Sequence, residues 1–218
     1  VKAGVRHILV LSSAIDLPCF EQLLGDGSEF GLTISFGSQA SPRGLADALS
    51  TALDFIEPGP VALCLGDSIL AGSSFERASR AHSRCPTGAV VFAFEKENPG
   101  RYEVVRFDKD DNVLRLQQKP AHPASRWTLG SLLFYDADVF SYAREVRPSK
   151  RGELELTPIH ERYLEHRRLQ VIKMPATETF IDAGTPESIQ EAESFAQIIV
   201  GELASGLAAS TMPPSTAA

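Results

Sequence analysis

LTISFGSQASPRGLADALSTALDFI, residues 32–56, reads as a strand, a loop and a helix in succession. Leu32–Ser38 is a short run of strand type, and Gly44–Ile56 repeats leucine and alanine at helical spacing. Between them Gly37 and Gly44 permit close backbone approach, and Pro42 stiffens the loop. The same alternation extends in both directions. His7–Ser13 is a strand, Pro18–Gly25 a short helix closed by glycine, Val61–Ser68 a third strand, Phe75–Ser83 a helix and Ala89–Glu95 a fourth strand. Such alternation predicts an α/β domain with a mainly parallel sheet. The unbroken apolar character of Val61–Ser68 is that of a strand covered by helices on both faces.

Beyond residue 100 the pattern changes. Tyr102–Phe107 and Val113–Gln118 flank a Lys-Asp-Asp-Asn turn and predict a β-hairpin. Thr128–Tyr135 and Leu169–Met174 are further strands; Asp138–Val146, Leu154–His166 and Pro186–Leu203 are helical patterns. No internal repeat is visible. The organisation expected is one domain over residues 1–204, with the small, polar, proline-bearing end, residues 205–218, disordered.

Composition narrows the function. Lys and Arg total 21 against 28 Asp and Glu in 218 residues, a net charge of −7, which argues against nucleic-acid and anionic-membrane partners. No apolar run approaches the ~18 residues that span a bilayer, and the amino end is not signal-like, so a cytoplasmic location is expected. Cys19, Cys64 and Cys85 have neither disulfide nor zinc spacing, and Cys64, in an apolar run, is expected in the core. The five histidines show no metal-ligand spacing, and surface positions are expected for His160 and His166. No GxSxG, HExxH or Walker lysine loop is present, which leaves serine hydrolysis and zinc chemistry without support.

Four segments can carry chemistry. In the 37–46 loop, Gln39 offers a donor and an acceptor suited to a nucleobase edge, though the loop equally suits a plain strand-to-helix turn. Asp67, after Leu65-Gly66, can hold a hard cation against a phosphate or cap a helix. Asp182, in Phe180–Thr185, can share that cation from a distant strand end. Lys119 closes the hairpin before Pro120 and suits a phosphate, or solvent. Arg151–Glu155 places acids before a helix, where complementing its dipole is the default role.

Taken in order, KAGVRHILVLS, FEQLLGDGSEFGLTISF, QASPRGLADAL, LGDSILAG, RYEVVRFD, KPAHP, PSKRGELELT and DAGTPESIQEAESF resemble the sugar-1-phosphate nucleotidyltransferases, the glucose-1-phosphate thymidylyltransferase group in particular. The resemblance implies a Rossmann-like, doubly wound mixed α/β sheet of the nucleotide-diphospho-sugar transferase type, with a β-hairpin insertion. It implies that glucose-1-phosphate attacks dTTP, with Mg²⁺, to give dTDP-glucose and pyrophosphate. By that match Gln39, Pro42 and Gly44 form the nucleotide site, Asp67 and Asp182 hold the metal, and Lys119 meets the sugar phosphate. Glu103, Gln118 and Leu129 fall at the sugar, and a homo-oligomer or pairing with an intact relative is implied.

Departures from the family pattern carry expectations of their own. Family members begin with a strand and a GGxGTRL-type loop that this sequence does not contain. The first strand is therefore expected to be absent, two apolar strand edges to face an empty slot, and catalysis to be weak or lost. Gln118 stands for a glutamate, Glu103 for a glycine, Gly130-Ser131 for Thr-Gly and Pro158 for an aspartate. These changes favour, as the alternative, a catalytically dead nucleotide-sugar-binding or regulatory partner of an active relative.

Overall fold

The computed structural model describes residues 5–71 and 87–197. The expected Phe75–Ser83 helix, Cys85 and the tail lie outside them. The first elements are β1 (His7–Ser12), α1 (Leu17–Leu24), β2 (Thr33–Ser38), α2 (Leu45–Ala52), β3 (Val61–Cys64) and β4 (Ser68–Ala71). Next come β5 (Ala89–Glu95), the hairpin β6 (Glu103–Phe107) and β7 (Val113–Gln118), and β8 (Trp127–Tyr135). The helices α3 (Asp138–Glu145) and α4 (Thr157–Glu165), then β9 (Leu169–Lys173) and β10 (Thr179–Asp182), follow. Residues 186–197 form a last helix, α5.

The main sheet runs β7-β6-β8-β5-β9, with β3 also on β8. It is mixed rather than mainly parallel: β5 and β9 pair in parallel, while β8 lies antiparallel to β3, β5 and β6. β5 is the clearest case of sequence dictating position. Its Ala89, Val91 and Ala93 join one core cluster and its Val90, Phe92 and Phe94 the other, as a period of two requires of a strand covered on both faces. On the first face α2, α3 and α4 lay down Leu49, Val139, Phe140, Ile159 and Tyr163. On the second, Phe94 and Phe180 stack at 5.3 Å and tie β10 to the sheet.

Three readings need correction. The expected strand Val61–Ser68 is two strands: Leu65–Asp67 breaks the run, after which β4 leaves β8 and pairs antiparallel with β10. Cys64 is exposed, because β3 is a four-residue strand whose described pairing is with β8 on one edge. The α4 helix starts at Thr157 rather than Leu154, because Leu154 gives its N–H to the Arg43 carbonyl at 2.7 Å and its carbonyl to the Ala46 N–H. Pro158 then opens the first turn, where its missing N–H costs nothing. Among the described residues β1 pairs with β2 alone, so an edge of β1 and an edge of β3 stay unpaired there.

Candidate functional site

A cavity of about 500 Å³ opens where β4, β6, β7, β8 and β10 meet the loops before α2 and α4. Its carboxylate side is built by β4 and β10. In their antiparallel register Asp182 lies opposite Ser68, and Ala183 N–H donates to the Asp67 carbonyl at 2.8 Å. The two carboxylates converge. A Cβ placed on Gly184 would stand 2.9 Å from Asp182 Oδ1 and 3.9 Å from Asp67 Oδ2. Two hard oxygen donors of this kind suit Mg²⁺, which keeps its other positions for water and substrate phosphate. Among the described residues no cluster of three or more candidate ligands forms an all-protein cage. Lys96 supports this side from beneath, with Nζ on the Phe180 carbonyl and 5.1 Å from the Phe180 ring centroid. Burial pulls its ammonium below the usual lysine range, against the opposing pull of Glu191 and Asp182.

The opposite wall is the hairpin. Lys119 holds its backbone at φ 37°, a left-handed conformation that costs a non-glycine residue energy, and its N–H donates to the Tyr102 carbonyl at 3.0 Å. Gln118 is engaged at both ends of its amide: Nε2 donates to Glu155 at 2.8 Å and Oε1 accepts from Thr157 at 2.9 Å. Directly across the strand pair lies Glu103, whose carboxylate meets His160 Nδ1 at 2.9 and 3.0 Å. His160 Nε2 in turn lies 2.6 Å from the Tyr135 hydroxyl.

The roof is the 42–45 loop, drawn down by two backbone bonds to Leu154: its N–H to the Arg43 carbonyl at 2.7 Å, and Ala46 N–H to its carbonyl at 3.0 Å. Gly44, at φ 116°, makes this approach possible. The lining acids Asp67, Glu103, Glu153, Glu155 and Asp182 outnumber the lining bases Arg101 and Lys119. A phosphate ligand here therefore calls for a cation.

The nucleotidyl transferase profile matches residues 1–198. The chain belongs to the nucleotidyl transferase family. It is 40% identical over 197 residues to the glucose-1-phosphate thymidylyltransferase of Neisseria gonorrhoeae, covering 90% of this chain and 68% of that one. With the enzyme of that name from Mycolicibacterium smegmatis it shares 39% over 207 residues, covering 95% and 71%. A Bacillus anthracis crystal structure described as a glucose-1-phosphate thymidylyltransferase in complex with sucrose superposes with a TM-score of 0.78. Identity there is 30%, and the match covers 87% of this chain and 75% of that one. A UDP-glucose pyrophosphorylase complexed with UDP-glucose, at 18% identity, shares the fold with a TM-score of 0.73, covering 90% and 82%.

Of the residues singled out from sequence, Pro42, Gly44, Asp67, Glu103, Gln118, Lys119, Leu129 and Asp182 all line this cavity. Gln39 does not. Its Nε2 is spent on Asp47 at 2.6 Å, and Asp47 also receives Arg43, whose guanidinium holds that carboxyl below the usual range. Two expectations fail here. His160 is 1% exposed instead of on the surface, because Leu156, Ile159 and Tyr163 set the inward stripe of α4 and His160 falls on it. Glu155 is buried and accepts from Gln118, Ser149 and Arg151 instead of complementing a helix dipole. Residue-by-residue reading also passed over Arg101, which lines the cavity beside the singled-out Ser131, and Tyr135, which lies behind it; the stripe of α4 is the one signal that could have found His160.

Proposed function

We propose that the cavity takes a sugar-1-phosphate and a thymidine nucleotide, and that the chemistry it serves is nucleotidyl transfer from dTTP to glucose-1-phosphate. The observation that carries this reading is the convergence of Asp67 and Asp182 on one side of a cavity whose other side holds Lys119 and Glu103. The relatives' shared name, at about 40% identity over most of this chain, supports the choice of nucleotide and sugar.

In this reading Asp67 and Asp182 would hold Mg²⁺, which neutralises phosphate charge when bound. Lys119 meets the sugar phosphate as a point charge on a backbone fixed by Tyr102. Pro42, Gly44 and Leu45 wall the nucleotide. The side chains described here position and neutralise. Positioning and electrostatic stabilisation supply most of the acceleration of in-line phosphoryl transfer.

Calorimetric titration with dTDP-glucose, together with pyrophosphate release from dTTP and glucose-1-phosphate in Mg²⁺, tests the reading. Binding that Lys119→Met and Asp182→Asn each weaken is the expected result. Absence of binding by both dTDP-glucose and dTTP at millimolar concentration would overturn it. Binding without turnover would assign the chain to nucleotide-sugar capture instead of transfer.

A further inference from the structure

The two carboxylates that converge at the cavity ride on a ribbon that stands apart from the main sheet. β4 and β10 pair with each other, and among the described residues neither pairs with a strand of the β7-β6-β8-β5-β9 sheet or with β3. A two-stranded ribbon of four residues a side has little stability of its own. Whatever fixes it against the sheet therefore decides where Asp67 and Asp182 stand relative to Lys119 and the hairpin wall.

Each carboxylate comes two residues after an anchor. On the β4 side the anchor is backbone: Leu65 N–H donates to the Ser131 carbonyl of β8 at 3.3 Å, and Asp67 follows. On the β10 side it is a side chain: Lys96 Nζ donates to the Phe180 carbonyl, and Asp182 follows. The Lys96 end of this link is itself fixed. Its N–H donates to the Arg126 carbonyl at 2.9 Å, and its own carbonyl accepts from Arg126 Nε at 3.4 Å. The Phe180 ring packs on Phe94 at 5.3 Å and on Tyr102 at 5.9 Å. Apolar packing is non-directional and lets a strand slide, whereas a hydrogen bond from a charged donor sets a distance and an angle. Lys96 is absent from the lining of the cavity that holds Asp182; it lines a separate, smaller one that shares Phe180. The ammonium feels Asp182 and Glu191 of α5, which both favour its charged form against burial.

We propose that Lys96 is a positioning residue for the carboxylate pair: acting through the Phe180 carbonyl, it sets the place of Asp182 beside Asp67. The inference rests on the reading in which those two carboxylates hold Mg²⁺, and it gives their bracing to a residue outside the cavity. Charge alone predicts the opposite effect on the metal. A cation near the pair repels a divalent ion, so its removal would tighten metal binding, whereas loss of the brace loosens it. The two effects differ in sign and are separable by experiment.

The test titrates Mn²⁺ alone, as a paramagnetic substitute for Mg²⁺, into the full chain and follows it by electron paramagnetic resonance. Wild type is expected to bind the ion and Asp182→Asn to lose that binding. Lys96→Met is expected to bind roughly tenfold more weakly, the low end of the effect of removing a group that orients a metal ligand. In the same variant, free of metal, the β10 amides should exchange with solvent faster than in wild type. Lys96→Arg, which keeps both the donor and the charge, should recover most of the loss. Lys96→Gln, uncharged and with its donor one bond short, should fall between the two and takes the place of Lys96→Met if that variant does not fold. Mn²⁺ binding unchanged or tightened in Lys96→Met, or in Lys96→Gln in its place, overturns the inference and leaves the metal reading standing. Wild type that binds no Mn²⁺, or Asp182→Asn that binds it as wild type does, overturns both.

Discussion

Replacing Gly44 with alanine would put a methyl group where the chain has no room for one. The ideal Cβ lies 2.7 Å from the Leu154 nitrogen and 2.9 Å from its carbonyl carbon, and closer still to the carbonyl oxygen. These are backbone atoms of a segment pinned by two hydrogen bonds, so no side chain can swing aside. The backbone itself sits at φ 116°, ψ 171°, a region that glycine alone occupies freely. Strain of that kind costs about 1–3 kcal/mol, and forced overpacking a similar amount. Their combined effect, about 2–6 kcal/mol, is a large share of a typical domain's stability and corresponds to a melting-temperature drop of roughly 5–20 °C at this chain length. Three other glycines separate the two causes. Gly25→Ala and Gly152→Ala carry positive φ, of 56° and 80°, with nothing within 4 Å of the new Cβ, so they should lose about 1 kcal/mol each. Gly59→Ala has open space and ordinary φ and should be near neutral. Urea melts of the four variants give the comparison. A Gly44→Ala midpoint no lower than that of Gly25→Ala would refute the clash argument, and with it the claim that this glycine serves loop-to-loop packing.

Asp136 ties β8, α3, α4 and the start of β5 together by accepting from Tyr163 at 2.7 Å, Asp138 N–H at 3.2 Å, Gly88 N–H and Arg168. Asp136→Ala should cost about 3–5 kcal/mol in a urea melt, because it strands buried partners; a loss below 1 kcal/mol would deny the network. Asp47 makes stability depend on acid. Its folded-state pKa is depressed by Arg43, so its contribution is complete above the unfolded value near 4 and is lost as pH falls through the lower folded one. Because Arg43 is 64% exposed, that contribution stays below about 1 kcal/mol, and the stability gap between wild type and Asp47→Asn should close in denaturation series run toward pH 2. Among the described residues an edge of β1 and an edge of β3 are unpaired, a geometry that favours strand-to-strand association; Leu9→Lys should shift the chain toward smaller species in concentration-dependent sedimentation, and an unchanged profile would show that these edges are not the contact.

The elements legible in sequence are those whose environment is uniform along their length. β5 alternates between two apolar faces over seven residues, and α2 repeats one stripe over two turns. The unreadable ones change partner within a few residues. Val61–Ser68 reads as one apolar strand, yet the chain there serves β8 first and β10 afterwards, and the switch at Leu65–Asp67 brings Asp67 beside Asp182. β10 is four residues long, too short for any period to show. Gly44 illustrates a further limit. Its freedom to approach another backbone was readable from its residue type, but the backbone it meets is Leu154, more than a hundred residues further on, and nothing local names that partner.

Acidic residues show the same limit in a way that bears on function. In the sequence each carboxylate admits a cap, a dipole complement or a ligand, and its neighbours alone do not choose. The fold chooses by supplying or withholding cations. Asp47 receives Arg43, Asp136 receives Arg168, and Glu153 and Glu155 share Arg151; these acids are structural. Asp67, Asp182 and Glu103 line the cavity, and no lysine or arginine ion pair reaches them among the described residues. Asp67 and Asp182, kept beside a cavity with no lysine or arginine ion pair among the described residues, are the carboxylates that the proposed reading would give to a metal. The net charge of −7 is therefore informative mainly through its distribution. The surplus that matters is the part the protein leaves uncompensated where a phosphate, its cation and a polyhydroxyl ring would have to meet.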